Sequence, residues 1–331
     1  MSFKFTRATE WWEYKLVPLL SIGYATILLR HEPMNQVILK LLWLLAAVVV
    51  GAVYVSVIND LTDINEDAAA GKPNRMAKIA PVWRITIVSS CLLMGLAFGW
   101  MIWPDYLSLF CYSMAWIVFS LYSIPPVRLK KRGIWGVLCD AMGAHLFPTL
   151  FIVSSLSGPT PSGINTTWFI AAGLWSFIYG LRGILWHQFH DRTNDILSGT
   201  TTFASKIKPE NFKTAEILIF GLEAVAFSVL LLLSWNNWIL LSLVLYFLVV
   251  WIRKTVLHYQ LCLVITPVSR PHQLLMNDYY LVFFPLALLL TATCNTPYGW
   301  IILCCHFVLF PGKTILVLKD VYIFLQRLFK K

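Results

Sequence analysis

The sequence predicts an all-α fold, a polytopic transmembrane helical bundle of nine or ten spans. Three observations carry that prediction. Hydrophobic residues make up 58% of the 331 positions and charged residues only 13%, about half the charged share of a soluble protein, and mean hydropathy is +0.70. Apolar stretches near the ~20 residues that a helix needs to cross a bilayer recur along the whole chain. The basic residues collect in alternate connections between those stretches. Fifteen Trp, 13 Tyr and 21 Phe add the aromatic content typical of membrane interfaces. Soluble enzymes, disordered tails, disulfide scaffolds and nucleic-acid modules do not fit these figures.

In chain order the stretches are 16–29, 36–58, 80–102, 106–122, 135–157, 167–187, 215–234, 237–257 and 279–294. A weaker tenth runs over 299–318, where Pro311-Gly312-Lys313 interrupts it, and Val317 to Lys331 is amphipathic and basic, suited to lying in the interface. The chain reads as one domain over 1–331, with 299–331 as a candidate extra span plus basic tail. With a cytoplasmic N-terminus, 23 of the 26 Lys and Arg fall on the inside, Arg30 and Lys40 stay outside, and Arg182 lies within the sixth span. The net charge of +10 is therefore topogenic, and no nucleic-acid partner is expected. An even number of crossings keeps the tail inside and favours the tenth span. No cleavable leader is visible in Met1 to Lys15. The seven cysteines have no CxxC spacing and read as small apolar packing residues.

Topology leaves two acidic clusters unexplained. Asn59-Asp60-Leu61-Thr62-Asp63-Ile64-Asn65-Glu66-Asp67 ends the second span, and helical spacing puts Asn59, Asp60, Asp63 and Asp67 on one stripe. Asp191 and Asp195, again four apart, end the sixth span on the same membrane face. Like charges at i, i+4 repel, and a carboxylate near lipid is costly. A hard divalent cation offsets both effects, and Mg²⁺ prefers carboxylate oxygens while completing its shell with water and phosphate. Two such stripes across a cavity suit a diphosphate. The plainer alternative is a pair of solvated helix ends salt-bridged to neighbouring basic residues.

Basic groups accompany each cluster: Lys72 and Arg75 after the first, the run Gly199 to Lys206 after the second, and the loop Tyr122-Ser123-Ile124-Pro125-Pro126-Val127-Arg128-Leu129-Lys130 between them. Arg75, Arg128 and Lys130 suit neutralisation of phosphate oxygens, whereas Lys131 and Arg132 need only the positive-inside rule.

NDxxDxxxD at Asn59–Asp67, YSIPPVRLK at Tyr122–Lys130 and DxxxD at Asp191–Asp195, in this order on one face, resemble the UbiA superfamily of intramembrane prenyltransferases. The YSxPPxRLKxxGxxG form, ending in Gly133 and Gly136, looks closer to the chlorophyll-synthase and archaeal lipid-ether branches than to the menaquinone branch. The resemblance implies helices around a central cavity open sideways to membrane lipid, and transfer of an isoprenoid from a prenyl diphosphate to an acceptor, with Mg²⁺. Carried over by motif, Asn59, Asp60, Asp63 and Asp67 hold one metal, and Asp191 and Asp195 the other. Lys72, Arg75, Arg128 and Lys130 contact the diphosphate, and Tyr122 sits near the reacting C1 carbon. Asp63, Asp191, Tyr122 and Lys130 are the expected catalytic set.

Three features depart from the family pattern: the tenth span, Asp140 in the fifth span, and His187 and His190 beside the second cluster. Asp140 either orients an acceptor hydroxyl or pairs with Arg182 across the bundle; His187 is either a base toward the acceptor or an interfacial side chain. Two other functions are weighed. A terpene cyclase of this fold ionises the same diphosphate without an acceptor. An ion-coupled transporter places its carboxylates near the midplane and often carries inverted repeats, neither of which is evident here.

Overall fold

The computed structural model describes residues 6–69, 71–158, 163, 165–197, 201–266 and 271–329. Among them the helices are α1 (Ala8–Leu29), α2 (Met34–Ala69), α3 (Pro81–Ile102), α4 (Tyr106–Ser123), α5 (Ile134–Ala141), α6 (Phe147–Ser157), α7 (Thr166–Leu197), α8 (Pro209–Leu233), α9 (Asn237–Thr255), α10 (Phe284–Asn295), α11 (Gly299–Leu309) and α12 (Pro311–Phe329). A π-helical turn, Met142–Leu146, joins α5 to α6, and another, Tyr279–Phe283, leads into α10. Each lies just before a proline, Pro148 or Pro285, whose missing N–H interrupts the α-helical ladder. Two three-residue parallel strands, β1 (Gln260–Cys262) and β2 (His272–Leu274), occupy the connection after α9.

The bundle is built around α1. Every residue from Leu16 to Ile27 is buried, as befits a helix apolar on all sides, and it packs on α2, α6 and α10. At the periphery, α3 and α8 leave Val82, Leu96, Trp100, Leu222, Val225 and Leu232 exposed, apolar surface that suits lipid and not water.

Among the described residues seven helices are long and apolar enough to cross a membrane: α2, α3, α4, the joined α5–α6, α7, α8 and α9. The expected first span is dense with charge at its start, where Glu10, Glu13 and Lys15 enter α1, and Tyr279–Asn295 is shorter than those seven. Length and composition therefore do not reach nine or ten. The tenth candidate is a bent pair: α11 and α12 are long and apolar enough only together, and they meet at 84°. The eleven residues of α11 rise about 16 Å, roughly half of the hydrocarbon core. Pro311 breaks the helix, and the Glu13 carboxylate accepts from the N–H groups of Gly312 at 2.6 Å and Lys313 at 2.7 Å. That cap turns α12 across the end of α1. Of the basic residues read as topogenic, Lys4, Arg270, Lys330 and Lys331 lie outside the described residues.

Candidate active site at one end of the bundle

A cavity of about 910 Å³ opens among the helices. Leu19, Val48, Trp116, Phe119 and Phe151 give it apolar walls, and Asn59, Tyr122, Asp140, His145 and His187 bring polar groups to it. Of the residues singled out from sequence, Asn59, Tyr122, Asp140 and His187 line this space. Asp60, Asp63, Asp67, Lys72, Arg75, Arg128, Lys130, Asp191 and Asp195 do not line it; they belong to the helix ends and loops bordering it.

The first acidic stripe exists because α2 continues for about three further turns beyond its apolar run. Its charges are matched by cations from elsewhere in the chain, not from its own helix. Asp63 accepts from Arg128 at 2.5 Å and from Lys130 at 2.6 Å. Lys130 also donates to the Asn59 side-chain oxygen at 2.8 Å. Glu66 pairs with Arg128 and with Lys131. On the other flank Arg7 donates to Asp60 at 3.1 Å and Asn74 to Asp67 at 2.8 Å. Arg75, expected on a diphosphate, pairs with Glu10 at 2.7 Å. Burial pulls the Lys130 ammonium below the ordinary lysine range, outweighing the carboxylate beside it.

The loop carrying Arg128 and Lys130 is held by backbone geometry. Arg128 has φ 41° and Gly133 φ 58°, left-handed positions that cost a side chain about 1 kcal/mol or more. Gly136 allows a close approach: a Cβ there would stand 2.9 Å from the Leu129 carbonyl oxygen and 3.0 Å from the Lys130 Cα. Gly136→Ala therefore has to displace the Lys130 backbone. We expect turnover to fall by up to about 10²-fold, the scale set by ångström misplacement of a catalytic group, with little change in melting temperature. Steady-state kinetics on the purified variant measures it; unchanged kinetics would show that the loop's register does not matter.

The second stripe faces the same end. His187 Nδ1 lies 3.7 Å from an Asp191 oxygen, and Asp195 accepts from Thr202 at 3.1 Å. Lys72, which follows the first stripe, is near enough to Asp195 to act on it electrostatically. Arg192 donates to the carbonyls of Ala204 at 3.0 Å and Ile207 at 3.1 Å, pinning the chain after the stripe. Gly199 and Thr200 of that run lie outside the described residues.

The pairing of Asp140 with Arg182 does not occur. Arg182 is bound by Glu223 from α8, both fully buried, and Asp140 instead has Lys15 at 3.8 Å. Lys15 also lies 3.1 Å from His145 Nε2. Neither stands out in the sequence: Lys15 fits the positive-inside rule, and His145 sits in an apolar run. The signal available was the presence of two ionisable residues, Asp140 and His145, within one predicted span.

The donors around the cavity suit Mg²⁺. The two acidic stripes offer oxygen donors, and Asp60 Oδ2 is buried without a hydrogen-bond partner, a site a cation would complete. No three acidic, His or Cys side chains converge among the described residues. A cation held by one or two carboxylates and finished by phosphate and water requires no such cage.

Residues 18–261 match the model of the UbiA prenyltransferase family. Solved structures of a UbiA homolog from Archaeoglobus fulgidus share the fold. The one bound to GPP and Mg²⁺ is 16% identical with a TM-score of 0.56, covering 90% of this chain and 97% of that one. The one bound to DMAPP and Mg²⁺ is 14% identical with a TM-score of 0.55, covering 88% and 97%. A third, bound to Cd²⁺, is 14% identical with a TM-score of 0.56 and the same coverage. No curated protein sequence shows significant similarity.

Proposed function

The chain belongs to the UbiA prenyltransferase family, and from that premise we propose that it moves an isoprenoid from a prenyl diphosphate to a membrane-soluble acceptor. The observation that carries this reading is the apolar cavity with Asn59 and His187 both in its wall, each one helical turn from an acidic residue of its own stripe, Asp63 and Asp191. The walls take the isoprenoid tail, and the charged end takes the diphosphate. Mg²⁺, which the homolog from Archaeoglobus fulgidus binds with GPP and with DMAPP, supplies positive charge to the leaving group; Asn59, Asp60, Asp63 and Asp67 on one side and Asp191 and Asp195 on the other hold it.

Lys130 and Arg128 exchange part of their contact with Asp63 for phosphate oxygens, joined by Lys72 and Arg75. The C1–O bond then breaks with its electron pair leaving on the diphosphate. Tyr122, in the cavity wall, presents its ring toward the electron-poor C1, and the apolar walls keep water away. The acceptor atom bonds to C1 and gives up a proton, for which His187 is the candidate base. Asp140, in the cavity wall 3.8 Å from Lys15, orients the acceptor. The positive-inside count supports a cytoplasmic N-terminus and a cytoplasmic site.

Mass spectrometry of products from the purified protein, Mg²⁺, a panel of prenyl diphosphates and a lipid extract tests this. A prenylated acceptor is expected. A cyclic hydrocarbon or alcohol formed without extract would make the protein a cyclase, and no Mg²⁺-dependent loss of diphosphate would refute the reading.

A further inference from the structure

Lys15, on α1, lines the cavity together with Asp140, on α5, and His145, in the π-helical turn that follows. The Lys15 Nζ lies 3.1 Å from His145 Nε2 and 3.8 Å from an Asp140 oxygen. An ammonium only donates, so His145 Nε2 is the acceptor and carries no proton. The imidazole is held in place for this. It is buried, and the Tyr179 ring stands edge-on to it at 5.2 Å. Gly180 brings α7 so close that a Cβ there would lie 2.7 Å from His145 Cδ2.

The contact between Lys15 and Asp140 is of a different kind. At 3.8 Å it is an ion pair too long for a hydrogen bond, and a polar gap above about 3.5 Å suits a bridging oxygen. One oxygen can stand about 2.8 Å from both groups, since twice that length exceeds the gap. Among the described residues Asp140 makes no hydrogen bond and Lys15 makes only the one to His145. Both side chains stay partly open, 34% for Lys15 and 15% for Asp140. The oxygen that fits between them accepts an N–H on one side and donates an O–H on the other. A hydroxyl or a water does both, whereas an ether has no proton to donate.

The other cations in the wall are placed differently. Arg7 pairs with Glu10 and Asp60, Arg253 with Asp278 and Asp320, and Lys313 stands over the Tyr14 ring at 4.4 Å. The depth of Lys15 also suits an acceptor. Arg7, which touches Asp60, immediately precedes α1, and Lys130, which touches Asp63, lies just before α5. Both helices thus enter from the charged end, and Lys15 and Asp140 stand about two turns along them, about 10 Å inward of the first stripe. Asp140 is also near enough to Tyr122 to act on it electrostatically.

We infer that Lys15 and Asp140 bind the acceptor through one hydroxyl group, Lys15 donating to its oxygen and Asp140 accepting from its O–H, with His145 as the positioning residue that fixes the Lys15 ammonium. The acceptor is accordingly a hydroxyl compound. Its part in the reaction rests on the transferase reading, but the binding test is independent of turnover.

The experiment uses the full chain in lipid nanodiscs and three radiolabelled probes of one ring system: 1-naphthol, 1-methoxynaphthalene and naphthalene, each corrected for partition into empty discs. Every variant is compared with wild type for the same probe, so the bulk of the methyl group cancels. Lys15→Met is expected to weaken both 1-naphthol and 1-methoxynaphthalene about tenfold, the scale of one hydrogen bond. Asp140→Leu should weaken 1-naphthol about tenfold and 1-methoxynaphthalene less than about twofold. Naphthalene should change less than about twofold in both. His145→Phe should lose 1-naphthol as Lys15→Met does, and His145→Gln, which keeps an acceptor for the ammonium, should regain most of it. Lys15→Met/Asp140→Leu removes both charges, so it strands neither, and should still lose 1-naphthol. No measurable 1-naphthol binding by wild type, unchanged binding in Lys15→Met or Asp140→Leu, equal losses for naphthalene, or equal losses of naphthol and ether in Asp140→Leu would overturn the inference. Equal losses in His145→Phe and His145→Gln would overturn the part given to His145. Mg²⁺-dependent binding of geranyl diphosphate is measured in parallel. Its absence in wild type would refute the transferase reading. Its persistence in the double variant beside a lost naphthol site is the expected result, and its loss there would overturn the assignment of these residues to the acceptor.

Discussion

Replacing Asp63 with Ala is expected to lower kcat/KM for Mg²⁺-dependent diphosphate release by about 10³-fold, the upper range for removing one preorganised electrostatic group from an active site. Asp63 is where the charged network converges: Arg128 at 2.5 Å and Lys130 at 2.6 Å both donate to it, and Lys130 reaches on to Asn59 in the cavity wall. Asp191→Ala should be comparably damaging, because it empties the opposite stripe of one of its two carboxylates. Glu66→Ala is the internal comparison. Its side chain is 46% exposed and pairs with Arg128 and Lys131 on the outer side, so a loss under about tenfold is expected. The variant Asp63→Ala/Lys130→Met should lose little beyond Asp63→Ala alone, since residues that act as one unit are not additive. Membrane insertion and melting of each variant separate lost chemistry from lost folding. Normal release by both Asp63→Ala and Asp191→Ala would remove the two stripes from the mechanism.

Much of this site was legible in the sequence because its signals are local. Acidic residues four apart at the end of an apolar run, and a Tyr-to-Lys loop closed by Gly133 and Gly136, are short-range patterns with few alternative explanations. What was not legible depends on distant partners. The cations that neutralise the first stripe come from Arg7 and from the loop at 128–131, and nothing in the spacing of Asn59 to Asp67 selects them. The break at Pro311 was visible, but the turn of α12 depends on Glu13, about 300 residues earlier, capping its first N–H groups. The helix α1 is buried from Leu16 to Ile27 and carries charge at its start; a helix that protein surrounds need not look like one that faces lipid. Asp140 found Lys15 instead of Arg182 because Glu223 already satisfies that guanidinium.

Glu223→Ala should be the most destabilising single change outside the charged end, costing about 3–5 kcal/mol of unfolding free energy. Arg182 and Glu223 are both fully buried and meet through two contacts, 2.5 Å and 2.7 Å. The pair is also a junction: the Tyr280 hydroxyl donates to Glu223 at 2.9 Å and Arg182 donates to the Leu263 carbonyl at 3.2 Å. It therefore fastens α7 to α8, to the backbone just after β1 and to the π-helical turn that leads into α10. Deleting the carboxylate strands a guanidinium in an apolar bundle, where no water can take its place. Removing both charges is a different perturbation, because the desolvation cost disappears with them. Arg182→Leu/Glu223→Leu should accordingly be more stable than Glu223→Ala, even though it deletes more interactions. Unfolding in detergent micelles, followed by tryptophan fluorescence with Trp175 and Trp186 nearby on α7, gives both values. A single variant as stable as wild type, or a double variant worse than the single, would mean that the pair does not hold these elements together.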